Sequence, residues 1–408
     1  MSTYSFPKEK IKILLLEGIH QAAIDVFEES GYSVESSNAA LSEEELLKLI
    51  PDVHLIGIRS KTRLTSKVLE RAQRLLAVAC FCIGTDQVDL EMAAKIGVPV
   101  FNAPYSNTRS VAELTIANII MLARKAAYKS LLLHQGQWDK SANNCYEVRQ
   151  KTLGIIGYGH IGPQVGLLAE ALGMSVHFYD IEKKLPLGNA QAVKDLKSLL
   201  KASDFVSLHV PDTESTRGMI GENEIKMMKN HSYLLNLSRG KVVDLDAVKT
   251  GIESGQLAGA AVDVFPIEPS SNEEQFSSVL CGLPNVILTP HIGGSTQEAQ
   301  QNIGIESASA LVAYTDLGIS AGAVNFPQIT APSIKAAHRV LNVHKNVPGV
   351  LSKITKIISE TGANIKAQYL NTLGDIGYLI MDVDESLSRE IKDRITELDE
   401  NIKTRLLF

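Results

Sequence analysis

Residues 152–180, TLGIIGYGHIGPQVGLLAEALGMSVHFYD, decide the fold of this chain. An apolar run leads into a GxGxxG loop formed by Gly157, Gly159 and Gly162. An amphipathic segment follows, and a second apolar run ends at Asp180. This order is that of a dinucleotide-binding βαβ unit, whose glycines let backbone N–H groups and a helix N-terminus approach a pyrophosphate. The terminal carboxylate would bind ribose hydroxyls and repel a 2′-phosphate, so the sequence predicts NAD rather than NADP as cofactor.

The same alternation of strand-like and helix-like segments extends to both sides of this stretch. Further strand-like runs lie at 10–18, 54–60, 75–84, 98–104, 204–210, 232–240, 258–265 and 285–294. Such alternation predicts parallel sheets covered by helices, and we expect two Rossmann-like, doubly wound α/β domains. One long helix is expected over 106–138 and another over 295–318. A linker punctuated by Gly and Pro is predicted at 318–333.

From residue 338 the pattern changes to strand, helix, two strands, helix and strand. The first of these helices has proline in its first turn and Gly362 at its end, as helices commonly do. The order βαββαβ is that of a ferredoxin-like module. The chain is therefore predicted to continue, after its two larger domains, into a small α/β module of another type.

Composition and charge exclude several classes of protein. The chain has 408 residues and a net charge of −6, which argues against nucleic acid as the main partner. Its first residues form no apolar signal core, and no window reaches the roughly 18 apolar residues of a membrane span, so no membrane partner is expected. The four cysteines form no CxxC pair and no zinc spacing. We therefore expect no metal site and a reducing, cytoplasmic environment.

Three residues at the ends of predicted strands have the chemistry that is needed beside an NAD site. They are Arg239 in NLSRG, Glu268 in FPIEP and His291 in TPHIGG. Ligands of doubly wound sheets lie beyond the carboxyl ends of the strands. A histidine can take the proton of a secondary alcohol, a carboxylate orients the ring and raises its pKa, and an arginine binds a carboxylate or carbonyl oxygen. Each residue type alone is more often structural, but together they predict oxidation of a 2-hydroxy acid.

The motifs GYGHIG, LNLSRG, AAVDVFPIEP and LTPHIGGST resemble those of the NAD-dependent D-2-hydroxyacid dehydrogenases. The resemblance runs from about residue 10 to residue 408 and includes FCIGTDQVDL and FNAPYSNTRSVAEL. It implies that Arg239 binds substrate, that Glu268 supports the histidine, and that His291 accepts and returns the proton. It also implies a cofactor site lined by Gly157, Gly159, His160, Ile161, Gly162, Asp180, Leu237, Ser238, Arg239, Asp263, His291, Ile292, Gly293 and Gly294.

The resemblance further implies that one domain is divided in sequence. Residues 1–106 and a return segment at 295–330 are expected to form a substrate-binding domain. The NAD-binding domain, at 107–294, is expected between these two segments. Residues 337–408 would follow as a separate regulatory domain.

Within the family, the resemblance is to members that act on a phosphorylated substrate, 3-phospho-D-glycerate. It implies substrate contacts from Arg59, Ser60, Lys61, Ile83, Gly84, Asn107 and Lys140. Arg59 and Lys61, together with Lys140, would hold the phosphate, and the backbone at Ile83 and Gly84 would hold the carboxylate. Charged loop residues are commonly only solvated, so the phosphate contacts rest on the resemblance.

The terminal module resembles an ACT domain, an amino-acid-sensing fold. In serine-inhibited relatives the equivalents of His344, Asn346 and Asn364 hold serine between two modules. Amides and imidazole suit this ligand because they both donate and accept hydrogen bonds. A purely structural dimerisation module is the alternative reading. The resemblance implies a homo-oligomer, expected to be a tetramer, with L-serine as its effector.

Two other functions remain open from the sequence. The same chemistry could act on another 2-hydroxy acid such as 2-hydroxyglutarate, because a dicarboxylate could use the same basic residues. A non-catalytic NAD-sensing scaffold is the alternative of another class. The intact set of arginine, glutamate and histidine and the presence of the ACT module argue against a scaffold.

Overall fold

The computed structural model describes residues 7–269, 273–332 and 337–408. The start of the N-terminal segment, judged above to lack a signal core, and the last residue of the predicted linker lie outside these ranges. The chain forms two compact units. The first unit contains 1–106 and 300–408, and the second unit contains 107–299.

A five-stranded parallel sheet forms the centre of the first unit, with strand order β2-β1-β3-β4-β5. The strands are β1 Ile13–Leu15, β2 Val34–Ser36, β3 Leu55–Ile58, β4 Ala77–Cys80 and β5 Val100–Asn102. The helices are α1 Gln21–Glu29, α2 Glu43–Leu49, α3 Ser66–Glu70 and α4 Leu90–Lys95. Successive residues of β1 pack into different apolar clusters on the two faces, which is why the strand reads as a continuous apolar run. The strand order reverses between β1 and β3.

A seven-stranded parallel sheet forms the centre of the second unit, with strand order β12-β11-β10-β9-β6-β7-β8. The strands are β6 Thr152–Ile156, β7 Ser175–Tyr179, β8 Gln191–Ala192, β9 Phe205–Leu208, β10 Ser232–Asn236, β11 Leu257–Val262 and β12 Val286–Leu288. The helices are α5 Thr108–Arg124, α6 Ala126–His134, α7 Ile161–Ala171, α8 Leu196–Ala202, α9 Glu222–Met227 and α10 Leu245–Glu253. The order reverses between β6 and β9, so the glycine loop after β6 lies at the position where this fold binds ligands.

The long helix predicted over 106–138 is two helices. Lys125 separates α5 from α6 with a left-handed backbone at φ +51°. Its N–H still donates to the carbonyl of Leu122 at 3.1 Å, as in a common way of ending a helix. The apolar spacing continues across the break, which is why the sequence did not indicate it.

Helix α11 Gln297–Leu317 leads into a segment that was predicted to be a linker, and this prediction is wrong. The side chain of Asn325 accepts a hydrogen bond from Val100 N at 2.8 Å and is buried. Phe326 is fully buried among aromatic rings. The hydroxyl of Ser320 donates to the carbonyl of Pro327 at 2.7 Å. Gly322 lies in a turn with φ +86°. The segment packs into the core because its polar groups find partners there.

The C-terminal module has the predicted βαββαβ order. Its elements are β13 His338–Lys345, α12 Val350–Thr361, β14 Ile365–Leu373, β15 Ile376–Val383, α13 Ser388–Thr396 and β16 Asn401–Leu407. The antiparallel sheet has the order β14-β15-β13-β16, which is ferredoxin-like. The predicted fold class, two parallel-sheet α/β assemblies and a ferredoxin-like module, is confirmed.

Polar contacts attach this module to the end of α11 within the first unit. Arg339 pairs with Asp382 at 2.7 Å and donates to the carbonyl of Leu317 at 2.8 Å. The hydroxyl of Tyr378 donates to the carbonyl of Gly318 at 2.7 Å.

Among the described residues, no helix has the length and apolar character that a membrane crossing requires.

Candidate active site

The catalytic candidates follow three neighbouring strands of the second unit. Arg239 follows β10, Glu268 follows β11 and His291 follows β12. Because parallel strands end at the same edge of a sheet, their side chains reach a common region. Sequence reasoning placed all three at strand ends, and the fold brings them together.

The ring of His291 forms a hydrogen bond with Glu268. Nδ1 of His291 and Oε2 of Glu268 are 2.9 Å apart, and the other carboxylate oxygen accepts from Phe265 N at 3.0 Å. The hydrogen bond that His291 donates to Glu268 raises the pKa of His291, although burial opposes this. Burial alone would raise the pKa of Glu268, but the hydrogen bonds from His291 and Phe265 outweigh it and the pKa lies below its usual value. The pair therefore favours an ionised carboxylate that orients the imidazole.

Arg239 contributes positive charge to the same group. Its charge lowers the pKa of both Glu268 and His291. The Nη1 group donates to the carbonyl of Ser238 at 2.8 Å, which leaves other N–H groups of the fork for a ligand. A Cβ atom on Gly240 would collide with the backbone of Phe265. Glycine is therefore required where the loop that carries Arg239 passes the loop that carries Glu268.

Asn236 organises the loop that carries Arg239, and sequence reasoning missed it. Its Oδ1 accepts from Ser238 N at 3.1 Å and from the Ser238 hydroxyl at 2.8 Å, and its Nδ2 donates to the Arg239 carbonyl at 3.0 Å. Leu237 and Ser238, predicted to line the cofactor, are buried within this turn. An asparagine as the last residue of a buried strand was the available signal, because a buried amide needs such partners.

The turn after β12 is held by Asp263. Its carboxylate accepts from the Thr289 hydroxyl at 2.6 Å, from Ile292 N at 2.9 Å and from Gly293 N at 2.8 Å. His291 adopts a left-handed backbone at φ +54°, which is uncommon outside glycine and indicates a constrained turn. The predicted contact of Asp263 with the cofactor stays a prediction, and its observed contacts fix the histidine loop.

The glycines after His291 allow close packing of this turn. A Cβ atom on Gly294 would collide with the side-chain amide of Asn107. The Oδ1 atom of Asn107 is buried and has no hydrogen-bond partner among the described residues. Asn107, predicted to contact substrate, thus places an unsatisfied acceptor beside the histidine loop.

The loop between β6 and α7 has the shape that a pyrophosphate requires. Gly157 has φ +89°, and a Cβ atom there would collide with the His209 carbonyl. A Cβ atom on Gly162 would collide with the Gly157 carbonyl, whereas one on Gly159 would meet no atom within 4 Å. Helix α7 begins at Ile161, and its N-cap, His160, provides no side-chain cap. The loop therefore fits a nicotinamide dinucleotide, with open space and a helix N-terminus at the expected place.

Asp180 follows β7, where the sequence predicts the carboxylate that binds the ribose hydroxyls. It also fixes the glycine loop. Its oxygens accept from Tyr158 N at 2.7 Å and from Glu182 N at 2.9 Å. A carboxylate has about four acceptor positions, so two remain for hydroxyl groups. The ring of Tyr158 also stacks on Phe178 at 3.8 Å between centroids, which supports the loop from below.

In the first unit, Glu17 organises the predicted phosphate loop, and sequence reasoning missed this residue. Its carboxylate accepts from Arg59 N at 3.1 Å, from Lys61 N at 3.0 Å and from Thr62 N at 2.8 Å. Glu17 follows β1 and the loop with Ser60 follows β3, so the contact lies where the strand order reverses. An acidic residue among basic ones gave no local signal, because its partners are more than forty positions away.

Gln87 connects this loop to the predicted carboxylate loop. Its amide donates to the Arg59 carbonyl at 2.7 Å and to the Gly84 carbonyl at 3.3 Å. Asn102 donates to the Ile83 carbonyl at 2.6 Å. The two loops that were predicted to bind substrate therefore form one network within the first unit.

The remaining predicted residues lie in three other places. Lys140 is exposed in the second unit. His344 is buried in the C-terminal sheet, where its Nδ1 lies 3.0 Å from Asn342 Oδ1. Asn346 and Asn364 are exposed in loops of that module. Among the described residues, no cluster of three or more His, Cys, Asp or Glu side chains has metal-binding geometry.

Comparison with known families matches two segments of the chain. Residues 116–293 match the family described as D-isomer specific 2-hydroxyacid dehydrogenase, NAD binding domain. Residues 341–403 match the AHAS small subunit-like ACT domain. The predicted cofactor, NAD, and the predicted ACT module are confirmed by these matches.

Similarity to known proteins extends over the whole length. The chain is 56% identical to the D-3-phosphoglycerate dehydrogenase of Dictyostelium discoideum, over 100% of this chain and 99% of the relative. It is 51% identical to the D-3-phosphoglycerate dehydrogenase of Escherichia coli strain K12, over 100% of both chains. Among solved structures, D-lactate dehydrogenase from Aquifex aeolicus complexed with NAD and lactic acid is similar, with 30% identity and a TM-score of 0.66 over 79% of this chain and 100% of the other.

Replacing Glu17 should loosen the loop at 58–64. Each hydrogen bond from a backbone N–H to a charged carboxylate contributes about 1.5–3 kcal/mol. We expect Glu17→Ala to accelerate amide exchange of this peptide at least tenfold, with Glu17→Gln intermediate because one oxygen remains. Hydrogen-exchange mass spectrometry measures this. Glu35→Ala, at an exposed acid on β2, is the matched control, and equal exchange in Glu17→Ala and the control would contradict the role of Glu17.

Replacing Asp180 should reduce the discrimination against NADP. Asp180→Ala removes the ribose hydrogen bonds and the repulsion of a 2′-phosphate. We expect the ratio of NADH to NADPH affinity to fall tenfold or more in fluorescence titrations. Both absolute affinities should also fall, because the glycine loop loses its acceptor.

Glu182→Ala serves as the control for Asp180→Ala, since it removes a nearby exposed negative charge that pairs with Lys184. An unchanged ratio in Asp180→Ala, or an equal change in Glu182→Ala, would place the selecting residue elsewhere.

Proposed function

Since the chain belongs to the D-isomer specific 2-hydroxyacid dehydrogenase family, we propose that it oxidises 3-phospho-D-glycerate to 3-phosphohydroxypyruvate with NAD. Its full-length relatives named D-3-phosphoglycerate dehydrogenase support this substrate. The observation that carries the reaction type is the hydrogen bond of His291 with Glu268 in the field of Arg239. These three groups suit an alcohol flanked by a carboxylate. The reaction would be the first step of L-serine biosynthesis.

The residues would divide the chemistry as follows. Arg239 binds and orients the carboxylate or the reacting oxygen through its planar fork. His291 takes the hydroxyl proton at Nε2 while Glu268 holds Nδ1–H, so the ring stays in the tautomer that can accept. The nicotinamide supplies the acceptor for the hydride when it is bound. In the reverse direction, the imidazolium returns its proton to the carbonyl oxygen.

The predicted substrate residues would supply the other contacts. Arg59, Ser60 and Lys61 would hold the phosphate on the loop that Glu17 and Gln87 fix, with Lys140 as a further cation. The backbone at Ile83 and Gly84 would hold the carboxylate. Asn107 would accept a hydrogen bond from the substrate at its Oδ1 atom.

Regulation and assembly are part of the proposal. The ACT module would bind L-serine through His344, Asn346 and Asn364. The chain would work as a homo-oligomer, a tetramer, in the cytoplasm.

A substrate panel tests the proposed function. Initial rates with NADH should be compared for 3-phosphohydroxypyruvate, 2-oxoglutarate and pyruvate, and with NAD for the corresponding D-hydroxy acids. We expect the largest kcat/KM for the phosphorylated pair. A larger value for 2-oxoglutarate would identify the enzyme as acting mainly on a dicarboxylate, and no turnover with any of the substrates would contradict an enzymatic role.

The pair of His291 and Glu268 predicts a shift in the pH profile. His291 must be neutral to accept a proton, so kcat/KM for oxidation falls as pH drops through its pKa. Because Glu268 raises the pKa of His291, Glu268→Gln should move this acid limb to lower pH and reduce the maximal rate. Initial rates across pH 5–9 measure both effects.

His291→Ala completes the comparison for this pH profile. It should lose about 10²–10⁴ in kcat together with the limb itself, which is the usual effect of removing a positioned acid–base group. A limb at the same pH in Glu268→Gln would show that Glu268 does not control the histidine.

The serine site makes a second prediction. Asn346→Ala or Asn364→Ala should raise the serine concentration for half-inhibition at least tenfold, or about 1.4 kcal/mol, because each would remove a hydrogen-bonding partner of the effector. Rates without serine should be nearly unchanged. A serine dose–response at fixed substrate and cofactor measures this, and Asn371→Ala on β14 is the matched control. Wild-type protein that is insensitive to millimolar serine would contradict the regulatory role of the module.

A further inference from the structure

A cavity of about 1320 Å³ lies within the first unit, apart from the residues assigned above to catalysis or to serine. Its walls come from three parts of the chain, at 8–76, 315–317 and 337–408. The C-terminal module and the first segment of the chain therefore both contribute to it. Ligand cavities in proteins are commonly of about 300–1,000 Å³, so the space admits a metabolite.

Positive charge dominates the described lining of this cavity. Seven Lys or Arg side chains line it against two Asp side chains. Outside the lining, Asp52 lies 3.4 Å from Arg74 and Asp393 lies 2.9 Å from Lys392, so these two cations are paired. The two acids also already have partners. Asp316 pairs with Lys8 at 2.6 Å, and Asp382 pairs with Arg339 at 2.7 Å.

Two cations of β16 have no acidic partner. Lys403 and Arg405 are two residues apart in the strand, so their side chains lie on the same face of the sheet. Lys403 donates to the Leu75 carbonyl. Arg405 donates from Nη2 to the Thr315 carbonyl at 3.0 Å and lies over the Tyr314 ring. Within the part of the chain that the structure describes, no carboxylate lies within ion-pair distance of either side chain.

The Nη1 group of Arg405 is buried and has no hydrogen-bond partner among the described residues. A buried donor without an acceptor costs about 1–3 kcal/mol, and more when it is charged. Burial and the neighbouring charge of Arg405 lower the pKa of Lys403 to about 8. Both observations have the same physical origin, since two like charges are partly buried together without a counter-charge. An anion in the cavity would supply the acceptor and the charge at once.

We propose that this cavity binds a small molecule with at least two negative charges, held by Arg405 and Lys403. The guanidinium fork matches a phosphate or a carboxylate in a bidentate way, and the ammonium adds a second positive charge. The space beyond these two groups accommodates the organic part of a phosphate ester or a dicarboxylate. A bound anion would connect β16 of the module to the segment around Leu75, because Lys403 and Arg405 line the cavity from β16 and Arg74 lines it from that segment.

Calorimetric titration of the full-length protein tests the proposal, with pyrophosphate and malonate as separate probes at constant ionic strength. We expect one binding event that Arg405→Gln and Lys403→Gln each weaken at least tenfold. Lys356→Gln, at an exposed lysine on α12 outside the cavity, is the matched control and should bind as wild type does. The preferred probe identifies the class of anion, phosphate or dicarboxylate.

Binding at the active site is separated by a further variant. Lys61→Gln should leave the event assigned to the cavity unchanged, whichever substrate the enzyme uses. Binding that is weakened by Lys61→Gln but not by Arg405→Gln would overturn the proposal, and so would the absence of binding of both probes.

A measurement on the unaltered protein guards against variants that fail to fold. Crystals soaked in selenate should show an anomalous peak within hydrogen-bond distance of Arg405 Nη1. No peak at that position in saturated crystals would overturn the proposal, whatever the variants show.

Discussion

Carboxylates that accept backbone N–H groups beyond the ends of parallel strands are the interaction on which the functional loops depend. Where a strand ends, its N–H groups lose their ladder partners and need other acceptors. Asp263 serves the histidine loop, Asp180 the glycine loop and Glu17 the loop of Arg59. One ionised carboxylate can satisfy several N–H groups, so each of these side chains fixes a whole turn. The functional side chains are thus presented by a main chain that is already held in place.

The same charges determine the chemistry of the candidate site. Asp263 and Glu268 both raise the pKa of His291, while Arg239 and burial lower it. A base that is too acidic would bind its proton weakly, and one that is too basic would be charged before the reaction begins. The hydrogen bond with Glu268 and the charges of Glu268 and Asp263 outweigh burial and Arg239, so the pKa of His291 lies above its usual value. Asp263 therefore has two effects on His291. It holds the turn that carries the histidine, and its charge raises the pKa of the ring.

The sequence predicted those features whose partners are near in the chain or follow from strand order. The glycine loop, Asp180 and the three strand-end residues carry local patterns. Glu17 was missed because its three partners are distant in sequence, and Asn236 because an amide at a strand end has many ordinary uses. The linker prediction failed for the same reason, since the main-chain partner that Asn325 finds at Val100 is distant in sequence.

In the C-terminal module, a paired charge fixes the orientation of the module and two unpaired charges line the cavity. A buried ion pair often contributes little stability compared with apolar packing, but its geometry is strict. Arg339 meets Asp382 and the Leu317 carbonyl together, so the module can join the end of α11 in few orientations. With that orientation fixed, Lys403 and Arg405 are held beside the same cavity without acids of their own. These two positive charges lie beside the cavity only while the module is attached in this orientation. An anion that neutralises them would therefore stabilise this orientation of the module over other orientations.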